Sequence, residues 1–148
     1  YKFNFTELDN GVVFKDDNLT VEAFKVNHGA FEDAYGFRFT SNDKVIVFSG
    51  DTGPSKSLES YAKDADILVH EVYSYAGFLK KTKDWQIYHK GHHTSTYEVG
   101  EIASRAKPKL LVLSHILFWG ADEQDILEET RTTFSGNIKI AEDLMVIK

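Results

Sequence analysis

The chain reads as α+β, a mixed sheet carrying helices, and three observations predict this. Short alternating or β-branched apolar runs fill its first third, an alternation of helical and buried-strand patterns follows Pro54, and no repeat or Pro/Gly/Ser-rich linker interrupts the 148 residues. The expectation is a single domain over 1–148, since chains of this length bury most of their apolar surface.

The elements follow in order. Asn10-Gly11 supplies the positive φ angles of a tight turn, so Phe3–Leu8 and Val12–Phe14 are expected to form a hairpin. Thr20–Val26, Phe37–Thr40 and Val45–Phe48 read as further strands, the last two joined by the turn-favouring Ser41-Asn42-Asp43. After Pro54, Ser57–Lys63 reads as a short helix and Ile67-Leu68-Val69 as a buried strand. Ser95 with Glu98 three residues on has the signature of a capping box. Val99, Ile102, Ala103 and Ala106 continue at helical spacing toward Pro108. Leu110–Leu113 reads as a strand, Asp122–Thr133 as a helix, and Ile138–Ala141 with Leu144–Ile147 as a closing hairpin.

Composition narrows the function classes. With 17 basic and 23 acidic residues the net charge is −6, which provides no general attraction to nucleic acid or to an anionic membrane. Lys80, Lys81 and Lys83 form the densest basic cluster and read as a solvated loop. No apolar run approaches the ~20 residues of a membrane span, and no signal-peptide pattern is visible. The expectation is a soluble chain, cytoplasmic or exported, with no membrane partner. It begins at Tyr1 rather than methionine, which leaves room for an upstream segment. Without cysteine, any metal must be held by nitrogen and oxygen.

Four apolar runs stop on residues competent to bind a metal. Val21–Val26 ends at Asn27-His28, Val45–Phe48 at Ser49-Gly50-Asp51-Thr52, Ile67–Val69 at His70-Glu71, and Leu110–Leu113 at Ser114-His115. Singly these fit turns and core histidines. Together they fit a cleft at strand ends, where loops aim several side chains at one point. Histidine and aspartate are the expected ligands of a thiolate-free hydrolytic site, and a carboxylate can bridge two ions where an imidazole cannot, so Asp51 is the natural bridge. His92-His93 stands just before the capped helix, near an N-terminus that favours anions, whereas His89 reads as a loop residue. Ser49-Gly50-Asp51-Thr52-Gly53 lacks the spacing and lysine of a phosphate-binding loop, and no Gly-x-Ser-x-Gly elbow accompanies Ser114 and His115. No carboxylate pair stands apart from solvent-facing helices, as glycoside hydrolysis would need.

Asn27-His28, Ala34-Tyr35-Gly36-Phe37-Arg38, Phe48-Ser49-Gly50-Asp51-Thr52, Leu68-Val69-His70-Glu71, Gly91-His92-His93-Thr94-Ser95 and Leu113-Ser114-His115 occur in an order that resembles the later half of the metallo-β-lactamase superfamily, in the branch of tRNase Z and the arylsulfatase-like hydrolases. The resemblance implies the C-terminal portion of an αββα sandwich. It also implies a site holding two metal ions, zinc in the first instance and manganese or iron as alternatives. By resemblance His28 completes the first metal site, Asp51 bridges, and His115 terminates the second. His93 contacts the substrate anion or helps protonate the leaving group. Glu71 has a supporting role, and His70 is structural.

The family's His-x-His-x-Asp-His string is absent from these residues, so an upstream segment or partner chain is expected to complete the sandwich. A half-sandwich would expose an apolar sheet face, which also predicts a homo-oligomer or partner chain. Ile116-Leu117-Phe118-Trp119-Gly120 replaces the sequence tRNase Z usually has after this histidine. The expectation is therefore a hydrolase of a small ester or phosphodiester, with Phe118 and Trp119 as candidate pocket walls. RNA is disfavoured, with tRNase Z-type endoribonuclease activity as the runner-up. The non-enzymatic alternative is a metal-deficient fragment serving as a binding or assembly module.

Overall fold

The computed structural model describes residues 6–147. Their strands are β1 (Gly11–Lys15), β2 (Leu19–Lys25), β3 (Tyr35–Ser41), β4 (Val45–Phe48), β5 (Ile67–Tyr73), β6 (Leu110–Leu117) and β7 (Ile138–Ile140). They form one seven-stranded sheet in sequential order. Pairing is antiparallel from β1 to β4 and parallel from β4 to β7. The change occurs where helices begin to separate the strands: α1 (Lys56–Tyr61), then α2 (Tyr75–Leu79), α3 (Lys83–His92) and α4 (Thr96–Ala106), then α5 (Glu123–Arg131). Parallel neighbours need such crossovers, whereas antiparallel ones need only turns. The α+β expectation, with helices on a mixed sheet, holds.

Register explains the two faces. Val47, Leu68 and Leu111 lie side by side across β4, β5 and β6. They pack with Leu58 of α1, Val99, Ile102 and Ala103 of α4, and Ile126 of α5 in one core. One residue along, Phe37 pairs with Phe48 and Phe48 with Val69, which places them on the other face. There Phe39 meets Phe48 at 5.6 Å between ring centroids, and Phe48 stays 42% exposed. The helices thus cover one face, where Phe24 of β2 stacks on Tyr61 of α1 at 4.3 Å, and Phe37, Phe39 and Phe48 of the antiparallel half stand on the other.

Three expectations meet the structure differently. The first strand of the Asn10-Gly11 hairpin falls partly on Phe3–Phe5, outside the described residues; within them Gly11 opens β1, which pairs with β2. Asp16 closes the β1–β2 turn, its Oδ1 accepting from the amides of Asn18 and Leu19 at 2.8 Å each. Asn10 is used elsewhere, its Oδ1 accepting from the Lys25 amide. At the other end Ile138–Ile140 pairs in parallel with β6, and Leu144–Ile147 forms no strand. Leu144 and Val146 are 99% and 78% exposed, so no burial rewards a second strand there. Finally, of the lysines read as a solvated loop, Lys80 and Lys81 lie between α2 and α3 and Lys83 opens α3, with Lys80 and Lys83 exposed. Ser74 caps α2 through its hydroxyl, and Lys81 lies 4.9 Å over the Trp85 ring rather than wholly in solvent.

Candidate metal and hydrolytic site

The functional candidates meet at the C-terminal ends of β4, β5 and β6. Asp51 follows β4 through Gly50, which adopts φ +62. A Cβ at Gly50 would stand 2.5 Å from the Tyr35 carbonyl oxygen, so only glycine suits this approach. Glu71 lies inside β5, two residues from its end. His115 sits at an irregularity in β6: Ser114 pairs with Glu71 and Ile116 with Val72, which leaves His115 as the extra residue, at φ +43. A bulge of this kind turns a side chain out of the ladder. His115 and Asp51 consequently approach to 3.7 Å (Nε2 to Oδ2), with both side chains nearly half exposed.

His28 reaches the same cleft from the loop after β2. That loop is tied to the Asp51 loop by the Gly53 amide donating to the Asn27 carbonyl at 2.6 Å and by the Thr52 hydroxyl donating to the same oxygen. His28 Nδ1 lies 2.8 Å from the carbonyl oxygen of His92, the last residue of α3. A carbonyl can only accept, so this contact places the proton on Nδ1 and leaves Nε2 as the lone-pair nitrogen. The His92 ring packs so closely over Gly29 (φ +60) that a Cβ there would lie 2.0 Å from Nε2.

His93 caps the C-terminus of α3 in an extended conformation and is 8% exposed. Its ring lies 5.4 Å from that of His28 and 5.9 Å from that of His115, between the two. Behind it is Glu71, 2% exposed, whose Oε1 accepts from the Thr94 amide at 2.8 Å. The Thr52 amide approaches the same oxygen at 3.4 Å. Glu71 Oε2 and His93 Nδ1 are 3.4 Å apart and out of line for a hydrogen bond, so both buried atoms lack a partner. Burial pushes the Glu71 carboxyl above the usual carboxylate range, against the pull of His93 and the two amides. Burial also opposes charge on His93, but the carboxylates of Glu71 and Asp51 outweigh it and hold the imidazole above its ordinary value.

The structure therefore brings His28, His93, His115, Asp51 and Glu71 together. Among the described residues, however, no three His, Cys, Asp or Glu side chains converge closely enough to hold a metal ion. Two imidazoles and a carboxylate, from His28, His115 and Asp51, are donor types that suit a borderline divalent ion.

Over residues 1–116 the chain matches the β-lactamase superfamily domain. It belongs to the metallo-β-lactamase superfamily. It is 38% identical over 106 residues to ribonuclease Z of Archaeoglobus fulgidus, covering 71% of this chain and 32% of that protein. Among solved structures it resembles the metallo-β-lactamase fold protein YhfI of Bacillus subtilis at TM-score 0.71 and 23% identity, covering 87% of this chain and 49% of that one. Human tRNase Z, short form, aligns at TM-score 0.65 and 23% identity, covering 93% and 44% respectively. The chain thus spans about a third of the archaeal relative and about half of these two structures. The fold is that of the superfamily, whose members are metal-dependent.

Sequence reasoning overlooked the surroundings of these residues. His89 lies in α3, its ring tilted against Trp85 at 3.6 Å between centroids and stacked 5.4 Å from His93, so it backs the site rather than decorating a loop. His92 supplies the carbonyl that orients His28. The spacing of His89 with His92 and His93 is that of one helical face. It was the available signal, hidden because Trp, Ile, Tyr, His and Gly are indifferent or poor helix formers.

Proposed function

We propose that this chain is the C-terminal portion of a metallo-β-lactamase-type domain and contributes one side of a dinuclear hydrolytic site, zinc being the first candidate ion. The observation that carries the reading is the buried His93 held between Glu71 and a cleft edged by Asp51, His28 and His115. His28 would serve one ion, His115 the other, and Asp51 both. Bound ions of this kind lower the pKa of a coordinated water toward ~7 and stabilise displaced oxyanions. The chain's own residues do the rest. His93 would hold a proton for the leaving group, favoured by the charge of Glu71 behind it. The His92 carbonyl keeps His28 Nε2 free to ligate.

RNA phosphodiesters become the favoured substrate class, because the relatives matched along this chain are ribonucleases Z. Of the two candidate pocket walls, Trp119 stacks on Tyr73 at 5.2 Å and meets Trp85 at 4.4 Å and so belongs to the packed structure, whereas Phe118 lines a cavity together with Ser114 and His115. The aromatic sheet face around Phe39 and Phe48 is the surface that an upstream segment, or a partner chain, would cover.

The test uses the protein with its upstream segment. Asp51→Ala is expected to lose both metals by elemental analysis and with them cleavage of precursor transfer RNA, while wild-type cleavage falls steeply with added salt. Undiminished metal in Asp51→Ala would sink the bridging role.

A further inference from the structure

A second cavity, of about 420 Å³, lies beside the hydrolytic cleft and shares none of its candidate residues. Its aromatic lining comes from Tyr73, Tyr75, Phe78 and Tyr97, and its charged lining from Lys90 and Glu98. Tyr73 is sandwiched between Phe78 at 5.1 Å and Trp119 at 5.2 Å, so both its faces are spoken for and it forms the floor. Tyr75 and Tyr97 meet edge to face at 5.1 Å and form a wall, with Tyr75 37% exposed. Glu98 closes one side, its Oε2 held by the amide and hydroxyl of Ser95 at 3.0 and 2.6 Å. Lys90 supplies the cation.

This cavity borders the site through two shared strands of chain. Tyr73 follows Glu71 by two residues on β5, and Ser95 follows His93 by two. The Thr94 peptide joins both places: its amide donates to Glu71 and its carbonyl accepts from the Tyr73 amide at 3.0 Å. Two residues of a strand span about 7 Å, a distance that a single nucleotide can bridge. Planar rings stacked on tyrosine, an acceptor for ring N–H groups and a cation for the adjoining phosphate are the elements by which proteins hold single-stranded nucleic acid.

We infer that this aromatic cavity is a nucleobase subsite, holding a base next to the scissile phosphate while Lys90 meets the backbone. The inference rests on the RNA reading of the main site, and its test separates the two. With the full protein, AMP and UMP binding is measured by calorimetry, and steady-state kinetics are run on precursor transfer RNA and on bis(p-nitrophenyl) phosphate, a diester too small to reach the cavity. Tyr97→Ala is expected to weaken nucleotide binding and raise KM for RNA about tenfold or more, while Tyr97→Phe retains both and neither changes turnover of the small diester. Lys90→Ala lowers the salt dependence of RNA binding by roughly one phosphate contact. If Tyr97→Ala proves unstable, Tyr75→Ala probes the same wall. RNA cleavage with unchanged KM in the tyrosine variants overturns the subsite and leaves the hydrolase standing. Nucleotide binding that is sensitive to Tyr97, in a protein that hydrolyses the small diester but not RNA, supports the cavity and overturns the RNA reading. Absence of nucleotide binding, as when the upstream chain fills the cavity, overturns the subsite.

Discussion

The two ends of the parallel strands are built to opposite rules. At the N-terminal end Asp66 accepts from the Val45 amide through Oδ2 and from Lys109 through Oδ1, both at 2.7 Å, and its carbonyl accepts from the Leu110 amide. At the C-terminal end, buried atoms of His70, Glu71, His89 and His93 have no hydrogen-bond partner among the described residues. Left-handed residues occur at both ends, so backbone strain alone does not mark the site. Lys107 at φ +56 merely ends α4, whereas His115 at φ +43 swings a ligand-competent ring out of its strand. The discriminating feature is polar groups buried without completion, which folding alone does not favour.

That contrast can be broken or sharpened by measurement. The largest effect is expected at His93. In the full enzyme His93→Ala is predicted to lower kcat by about 10²–10⁴-fold while leaving thermal unfolding nearly unchanged, and a variant that loses stability instead of turnover would make His93 structural. Next comes His70, whose pKa burial lowers to about 4 despite the Glu71 carbonyl beside Nδ1. Because the folded value lies below the unfolded 6.5, stability is full above that pH and declines as pH falls toward about 4. The loss amounts to about 3 kcal/mol. Denaturant unfolding across this window reads the slope, and His70→Leu removes it if the assignment is right.

A smaller effect is expected at Glu129 of α5. Its carboxylate accepts from the amides of Tyr75 and Ala76 at 2.9 Å and from the Thr96 hydroxyl at 2.6 Å, tying the first turns of α2 and α4 together. Glu129→Ala is expected to cost about 2 kcal/mol and to raise hydrogen exchange at Tyr75 and Ala76; unaltered exchange there would dismiss the tie. The smallest belongs to the completed end. Lys109 and Asp66 form an exposed pair, and the lysine beside it holds the Asp66 carboxyl below its ordinary value. The pair's contribution is therefore present above the usual carboxylate pKa and lost as pH falls through the depressed one. Lys109→Ala is expected to leave the unfolding midpoint at neutral pH almost in place, and a large drop would show that this end carries more than it appears to on geometry.

The sequence by itself determined the strands β2 to β6, the Ser95–Glu98 capping box of α4 and the positions where strands end on His28, Asp51, Glu71 and His115. These are local matters of periodicity, side-chain capping and turn chemistry, and the ordered motifs were sufficient to indicate the superfamily. The tertiary structure decided the rest. The tertiary structure gave β1 its partner in β2, and the closing hairpin gave way to one parallel strand because β6 offered β7 its ladder. Helix α3 forms from weak helix formers because Trp85 and His89 pack against Trp119. The bulge that presents His115 to Asp51 arises from the register between β5 and β6, and the His92 carbonyl meets His28 from 64 residues away. Such contacts depend on long-range register and packing, which no local pattern of residues encodes.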